Sequence, residues 1–148
     1  MGGGYEDLAH LRNAAMPQTA EISAWIAFFL GLYSLAAGAG EMRSPGGWNA
    51  MLAEFERSPG LRYLAGFACL AVGAAIYLAS PWREGDWLAI VVNILGGLAV
   101  AEGMALLAAG DRFLNLSRRL IGNASTAWAG ASIAFGLVAI VAAFSRIG

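Results

Sequence analysis

The sequence predicts an all-α integral membrane protein with four transmembrane helices, built as two parallel repeats of transmembrane helix, amphipathic interfacial helix and transmembrane helix. Three observations carry this. Apolar residues make up 59 % of the 148 positions and charged residues only 13 %, against roughly a quarter charged in an ordinary soluble domain. The charges divide the chain into four stretches, of which one, holding Glu102, contains a charge; each is long enough for the roughly 20 apolar residues that cross a bilayer. A shift of 65 positions also lays the chain on itself, with Trp48 on Phe113 and Gly38 on Gly103.

The first twenty residues form an amino-terminal arm, followed by one membrane domain over 21–148. Tyr5, Leu8, Leu11 and Ala15 would share one helical face, and Pro17 would stop that helix; a partly ordered tail is the other reading. Glu6 and Asp7 stand where a cleavable signal peptide has a basic region, and no apolar run begins before Ile22. The first span is therefore expected to act as an uncleaved insertion signal.

That first span runs from Ile22 to about Gly40, between Glu21 and Glu41. In the connection after it, Trp48, Met51, Leu52 and Phe55 fall at helical spacing, with Asn49, Glu54, Glu56 and Arg57 opposite. This predicts a short amphipathic helix in the interface. The second span lies between Arg62 and Arg83 and ends at Ser80-Pro81. A tight turn, with Trp82 and Trp87 at its flanks where indole rings favour the interface, leads to the third. The third span runs from Trp87 to about Gly110 and contains Glu102. Phe113, Leu116 and Leu120 then form a second amphipathic stripe, opposed by Asn115, Arg118 and Arg119. The fourth span starts near Ser125 and ends before Arg146. The repeats occupy about 21–81 and 86–147.

All nine basic residues are arginine. With the abundance of Ala and Gly, this suggests a GC-rich bacterial genome and a place in the bacterial inner membrane. Arg43, Arg57, Arg62, Arg112, Arg118 and Arg119 lie on the two amphipathic connections, and Arg12, Arg83 and Arg146 on the opposite side. The positive-inside rule then puts the connections in the cytoplasm and both termini outside. A net charge of −1 argues against a nucleic-acid partner, which demands a basic surface.

At Glu102-Gly103, Phe113, Pro45, Trp48, Met51, Ser58-Pro59 and Leu61-Arg62 the chain resembles the short, two-helix YjeT-like bacterial inner-membrane proteins, a family of unknown function. The resemblance spans roughly residues 22 to 145 and looks like a fused tandem pair. It departs from the family pattern at Gly110, where a Pro is expected, and at Ala37, where a Glu is expected. It implies a small accessory membrane protein and no particular activity.

Few residues could carry chemistry. Glu102 is an acid near the middle of the third span, where an ionised carboxylate costs on the order of 2.5–3.5 kcal/mol. It reads either as a proton or ion site or as a carboxyl hydrogen-bonded within the bundle or reaching towards an interface. Asn93 and Ser34 are further polar groups within spans, read as interhelical glue. Glu41 reads as a boundary residue. Ala65, Cys69 and Gly73, Ala99 and Gly103, and Gly130 and Ala134 place small residues four apart for close helix packing.

The single histidine, His10, lies outside every span, so neither a His-based triad nor an intramembrane His ligand can be assembled. Cys69 is alone, and no His/Cys cluster has metal spacing. No cofactor or metal is expected, and the chain does not read as an enzyme. Three functions remain. The first is a non-catalytic accessory or structural subunit of a larger membrane assembly, with other subunits or further copies meeting its small-residue faces. The second is a small oligomeric transporter or channel using Glu102. The third is a membrane-surface module in which Trp48, Phe55, Arg57, Phe113, Arg118 and Arg119 contact lipid or a partner.

Overall fold

The computed structural model describes the backbone of residues 3–80, 82 and 85–147, and their side chains except those of 3–7, 9–20 and 123. Every regular element among the described residues is helical: α1 (Gly3–Arg43), α2 (Gly47–Arg57), α3 (Pro59–Ala79), α4 (Trp87–Ile121) and α5 (Ser125–Ile147), with one 3-10 turn at Gly122–Ala124. Four stretches are long and apolar enough to cross a membrane: Glu21–Arg43, Pro59–Ala79, Trp87–Ile121 and Ser125–Ile147. This matches a multi-pass membrane protein. Most of the surface of each span is left uncovered by the rest of the chain.

The amino-terminal arm is not a separate helix. α1 continues through Pro17 into the first span. Proline there removes one helical hydrogen bond, the one to the carbonyl of Asn13, without ending the helix. The arm's expected apolar face at Tyr5, Leu11 and Ala15 lies outside the described side chains, as do His10 and Arg12. The expected turn residues Pro81, Arg83 and Glu84 lie outside the described residues.

The helices pack as two antiparallel pairs, and glycine decides which pairs. A methyl group on Gly31 would stand 2.9 Å from the Gly136 carbonyl oxygen, and one on Gly136 would stand 2.7 Å from that of Gly31. One turn-pair away, Gly38 meets the Ala129 carbonyl at 2.6 Å on the same measure. These contacts bind α1 to α5. α3 and α4 meet in the same way: Gly73 faces the Gly96 carbonyl at 2.7 Å, and Gly103 faces the Gly66 carbonyl and the Leu70 amide at 2.6 Å. In lipid no hydrophobic force drives helices together, so backbone contact of this kind is what holds a pair. Of the small residues singled out in the sequence, Gly73 and Gly103 stand at such contacts. Gly130 does not, because nothing lies within 4 Å of a methyl group placed there.

The two pairs meet directly at one end, and at the other α2 packs against α4. On the side of the α3–α4 turn, Ala24 and Ala27 of α1, Leu88 and Val92 of α4, and Ala143 of α5 form a small buried core. On the other side, where α1 passes to α2 and α4 to α5, Leu52, Leu106 and Leu114 are buried together with Phe55, Phe113 and Ile121 against them. We call these the turn side and the connection side.

The break expected near Gly110 is a kink inside α4: Ala109 has φ −143° and ψ 42° and helix resumes at once. Gly110 is buried there because the Arg62 side chain crosses it; a methyl group would meet Arg62 Cδ at 2.6 Å. Arg62 goes on to pair with Asp111. Beyond the kink Leu114 is the buried residue, with Phe113 and Ile121 packed against the same cluster, while Leu116 and Leu120 of the expected stripe face outward. Leu114 packs there against Leu52 of α2. In α2 itself, Leu52 is buried, Trp48 and Phe55 half-buried, and Met51 exposed. Proline 59 at the first turn of α3 and the Ser58 hydroxyl, which accepts from the Leu61 amide at 3.3 Å, end α2 and start α3.

If glycine contact holds the α3–α4 pair, Gly103→Ala should cost about 1–3 kcal/mol, the usual range for overpacking. Gly130→Ala should cost nothing measurable. Reversible unfolding in mixed micelles would read both.

Candidate functional site

Three polar constellations stand out in this apolar chain. The first lies at the turn side, where α3 ends and α4 begins. The Ser23 and Ser80 hydroxyls are 2.9 Å apart, joining α1 to the end of α3. Ser80 also donates to the Ala89 carbonyl, and the Asn93 amide donates to the Tyr77 carbonyl at 3.1 Å and to that of Ser80. Asn93 thus satisfies the last carbonyls of α3, which a helix end leaves open. Its Oδ1 is buried with no hydrogen-bond partner among the described residues. At the rim, Asp86 caps α4 through the Ala89 amide and pairs with Arg146 at 3.2 Å. The Arg146 guanidinium stands 5.9 Å from the Trp87 ring centre. This ties the end of α5 to the start of α4.

The second lies at the connection side. Glu41 is only 3 % exposed. It is not a bare boundary residue: its two oxygens accept from the Gly46 amide at 2.7 Å and the Trp48 amide at 2.8 Å. The Ser125 hydroxyl and the Gly47 amide lie near it. A carboxylate here meets the positive end of the α2 dipole and the amides that the first turn leaves unpaired. Gly46 makes the reversal possible, with φ +99°, a conformation that costs glycine little. One side chain therefore fixes the end of α1 and the start of α2, beside the start of α5. The polar faces of α2 and the outer part of α4 then join: Arg118 pairs with Glu56 at 2.9 Å, and Asn49 donates to the Gly122 carbonyl at 3.2 Å.

Of the interfacial residues singled out, Arg118 is thus engaged, and Arg57 stands 3.8 Å from Glu54 on its own helix. Arg119, with Arg43 and Arg112, is exposed and has no ion-pair partner among the described residues.

The third is Glu102. It faces outward from the α3–α4 pair and is exposed, with no hydrogen bond or ion pair among the described residues. It lies within electrostatic range of Cys69 on α3. It stands seven residues before the kink at Ala109, so about 10 Å from it along the helix axis at 1.5 Å per residue. Asn93 and Glu102 are not brought together: nine residues of α4 separate them, about 13.5 Å by the same rise. Ser34 joins helices through its carbonyl, which accepts from the Ser132 hydroxyl at 2.8 Å, and Ser132 is the donor that the sequence did not single out.

Between α1, α4 and α5 runs a cleft lined by apolar side chains alone, among them Ala27, Leu30, Val91, Leu95, Phe135 and Val138. Among the described residues no group of three His, Cys, Asp or Glu side chains could hold a metal ion. No protein-family model, curated protein or solved structure matches the chain.

The role of Glu41 was hidden because its partners are backbone amides, whereas Asn93, expected as interhelical glue, does join α4 to the end of α3. Replacing Glu41 by Ala should speed hydrogen exchange at the Gly46 and Trp48 amides by about an order of magnitude or more, since each loses its acceptor. The amides in the middle of α3 should be unaffected.

Proposed function

We propose that the chain is a non-catalytic accessory or structural subunit of a larger membrane-protein assembly. The observation that carries this reading is Glu102. A carboxyl well inside a span, exposed on the outside of its helix pair and unpaired, is costly in lipid and is normally met by a partner. The wide uncovered surface of the four spans supports the same reading. A transport path through a single chain has less behind it, because the Asn93 cluster and Glu102 do not adjoin and the cleft between the pairs is apolar throughout.

The finer architecture is part of the proposal. Gly31 and Gly38 stand 65 positions before Gly96 and Gly103, while Gly66 and Gly73 stand 63 before Ala129 and Gly136. The contact of Gly31 with Gly136 is thus the counterpart of Gly96 with Gly73, and that of Gly38 with Ala129 the counterpart of Gly103 with Gly66. This supports two fused copies of one unit, as in a tandem YjeT-like pair, that exchange partners: the first span of each copy packs on the second span of the other. α2 and the outer part of α4 are the interfacial helices, on the cytoplasmic side of a bacterial inner membrane. There Arg43, Arg112 and Arg119 are available to anionic headgroups, each worth about 1 kcal/mol near such a surface.

Solubilising native membranes in mild detergent and isolating the tagged chain tests the reading. It predicts at least one other membrane protein at constant stoichiometry. A lone, monodisperse species would refute it.

A further inference from the structure

Beyond its kink, α4 keeps one face that the rest of the chain leaves uncovered. We propose that this face, at Arg112, Leu116, Arg119 and Leu120 with Trp128 at its end, binds an anionic phospholipid. The arginines hold the phosphate, and the leucines and the indole lie along the acyl chains. The proposal rests on the interfacial placement of the outer part of α4 given above, not on the subunit reading.

The charges of the connection side point to an anion. Each carboxylate described there is already engaged: Glu41 by the Gly46 and Trp48 amides, Glu54 by Arg57, Glu56 by Arg118 and Asp111 by Arg62. Arg43, Arg112 and Arg119 are exposed and have no ion-pair partner among the described residues. The unpaired charge is therefore all positive. Two of these three arginines share a helix face, since 112, 116 and 119 advance by four and three residues and so flank Leu116. About 10 Å of helix rise lies between them, which two long side chains can close on one phosphate from either side. The planar guanidinium fork matches phosphate oxygens, so arginine is suited to that contact.

The apolar half of the stripe separates a lipid from a soluble anion. Leu116 and Leu120 are 55 % and 58 % exposed, whereas Leu114, towards the opposite face of the same helix, is buried. A leucine left open beside an arginine suits a ligand that carries acyl chains beneath its headgroup, as an interfacial helix meets in a bilayer. Trp128 extends this surface onto α5. Its ring is half exposed, and its Nε1 donates to the Leu120 carbonyl at 2.8 Å, so the indole stands at the end of the stripe. Indole rings favour the depth at which headgroup and acyl chain join. A protein in this place would have to bring its own acids; anionic lipid supplies phosphate at that depth already.

Quenching of Trp128 by brominated lipid tests the proposal, in a full-length chain where Trp25→Phe, Trp48→Phe, Trp82→Phe and Trp87→Phe leave it the one indole. In phosphatidylcholine vesicles, a minor fraction of acyl-brominated phosphatidylglycerol should quench Trp128 as though enriched about 25-fold, a fivefold gain for each of two arginines. The same fraction of brominated phosphatidylcholine should quench only by its share. Arg112→Ala combined with Arg119→Ala should abolish the difference and leave quenching by the neutral lipid unchanged. Soluble glycerol phosphate should not compete. Equal quenching by the two lipids, a preference that survives the double variant, or relief by glycerol phosphate overturns the proposal and leaves the interfacial placement standing. Quenching by neither lipid overturns both. Native mass spectrometry of the chain with all its tryptophans, offered the two lipids in equal amounts, decides independently. Phosphatidylglycerol should be retained and then lost in the double variant; no preference between the lipids overturns the proposal.

Discussion

Contact between backbones at glycine is the constraint on which the rest of this structure depends. Gly31 on Gly136, Gly73 on Gly96 and Gly66 on Gly103 leave no room for a single methyl group. Helices in lipid gain nothing from hiding apolar side chains, so the pairs that form are those whose surfaces fit most closely. That condition joins the first span to the last and the second to the third. It also leaves the two pairs in direct contact chiefly at the turn side, where a small core gathers, while α2 packs on α4 at the other end.

The polar groups act chiefly on exposed backbone at helix ends. Asn93 and Ser80 close the end of α3, Asp86 opens α4, and Glu41 opens α2. Each meets a place where helical hydrogen bonding runs out and water is scarce, so a side chain must supply the partner. Glu102 is the exception. It serves no helix end, and the chain supplies it with no partner among the described residues. This contrast turns an apolar bundle with no catalytic constellation into one with a defined place for something else.

Much of the architecture was legible in the sequence. Four spans, their approximate limits and the helix at 47–57 come out of charge spacing and periodicity, because lipid admits few alternatives. The pairing of spans was not legible. Small residues recur on every helix, and Gly130 and Gly136 look alike in sequence although only Gly136 is in contact. Of the stripe expected beyond Gly110, Phe113 packs inward, whereas Leu116 and Leu120 are exposed and Leu114 takes the buried place. The Arg62 side chain crosses α4 at Gly110, beside the kink, and that contact joins residues distant in sequence. Glu41 was passed over for a similar reason: its partners are amides, which carry no sequence signal. Glu102 was legible as an anomaly, but its outward direction depends on which face of α4 meets α3.

Pairing of the first span with the last is the claim from which the ends and the proposed exchange between repeats descend. Its most direct test is cysteine cross-linking of Ser34→Cys with Ser132→Cys, in a chain whose one native cysteine is replaced by Cys69→Ala. These two residues touch across α1 and α5, the Ser132 hydroxyl lying 2.8 Å from the Ser34 carbonyl. Mild oxidation in native membranes should give a disulfide within one chain, seen as a faster-migrating monomer that reverts on reduction. Absence of that species, or a cross-link that forms only between chains, would contradict the account.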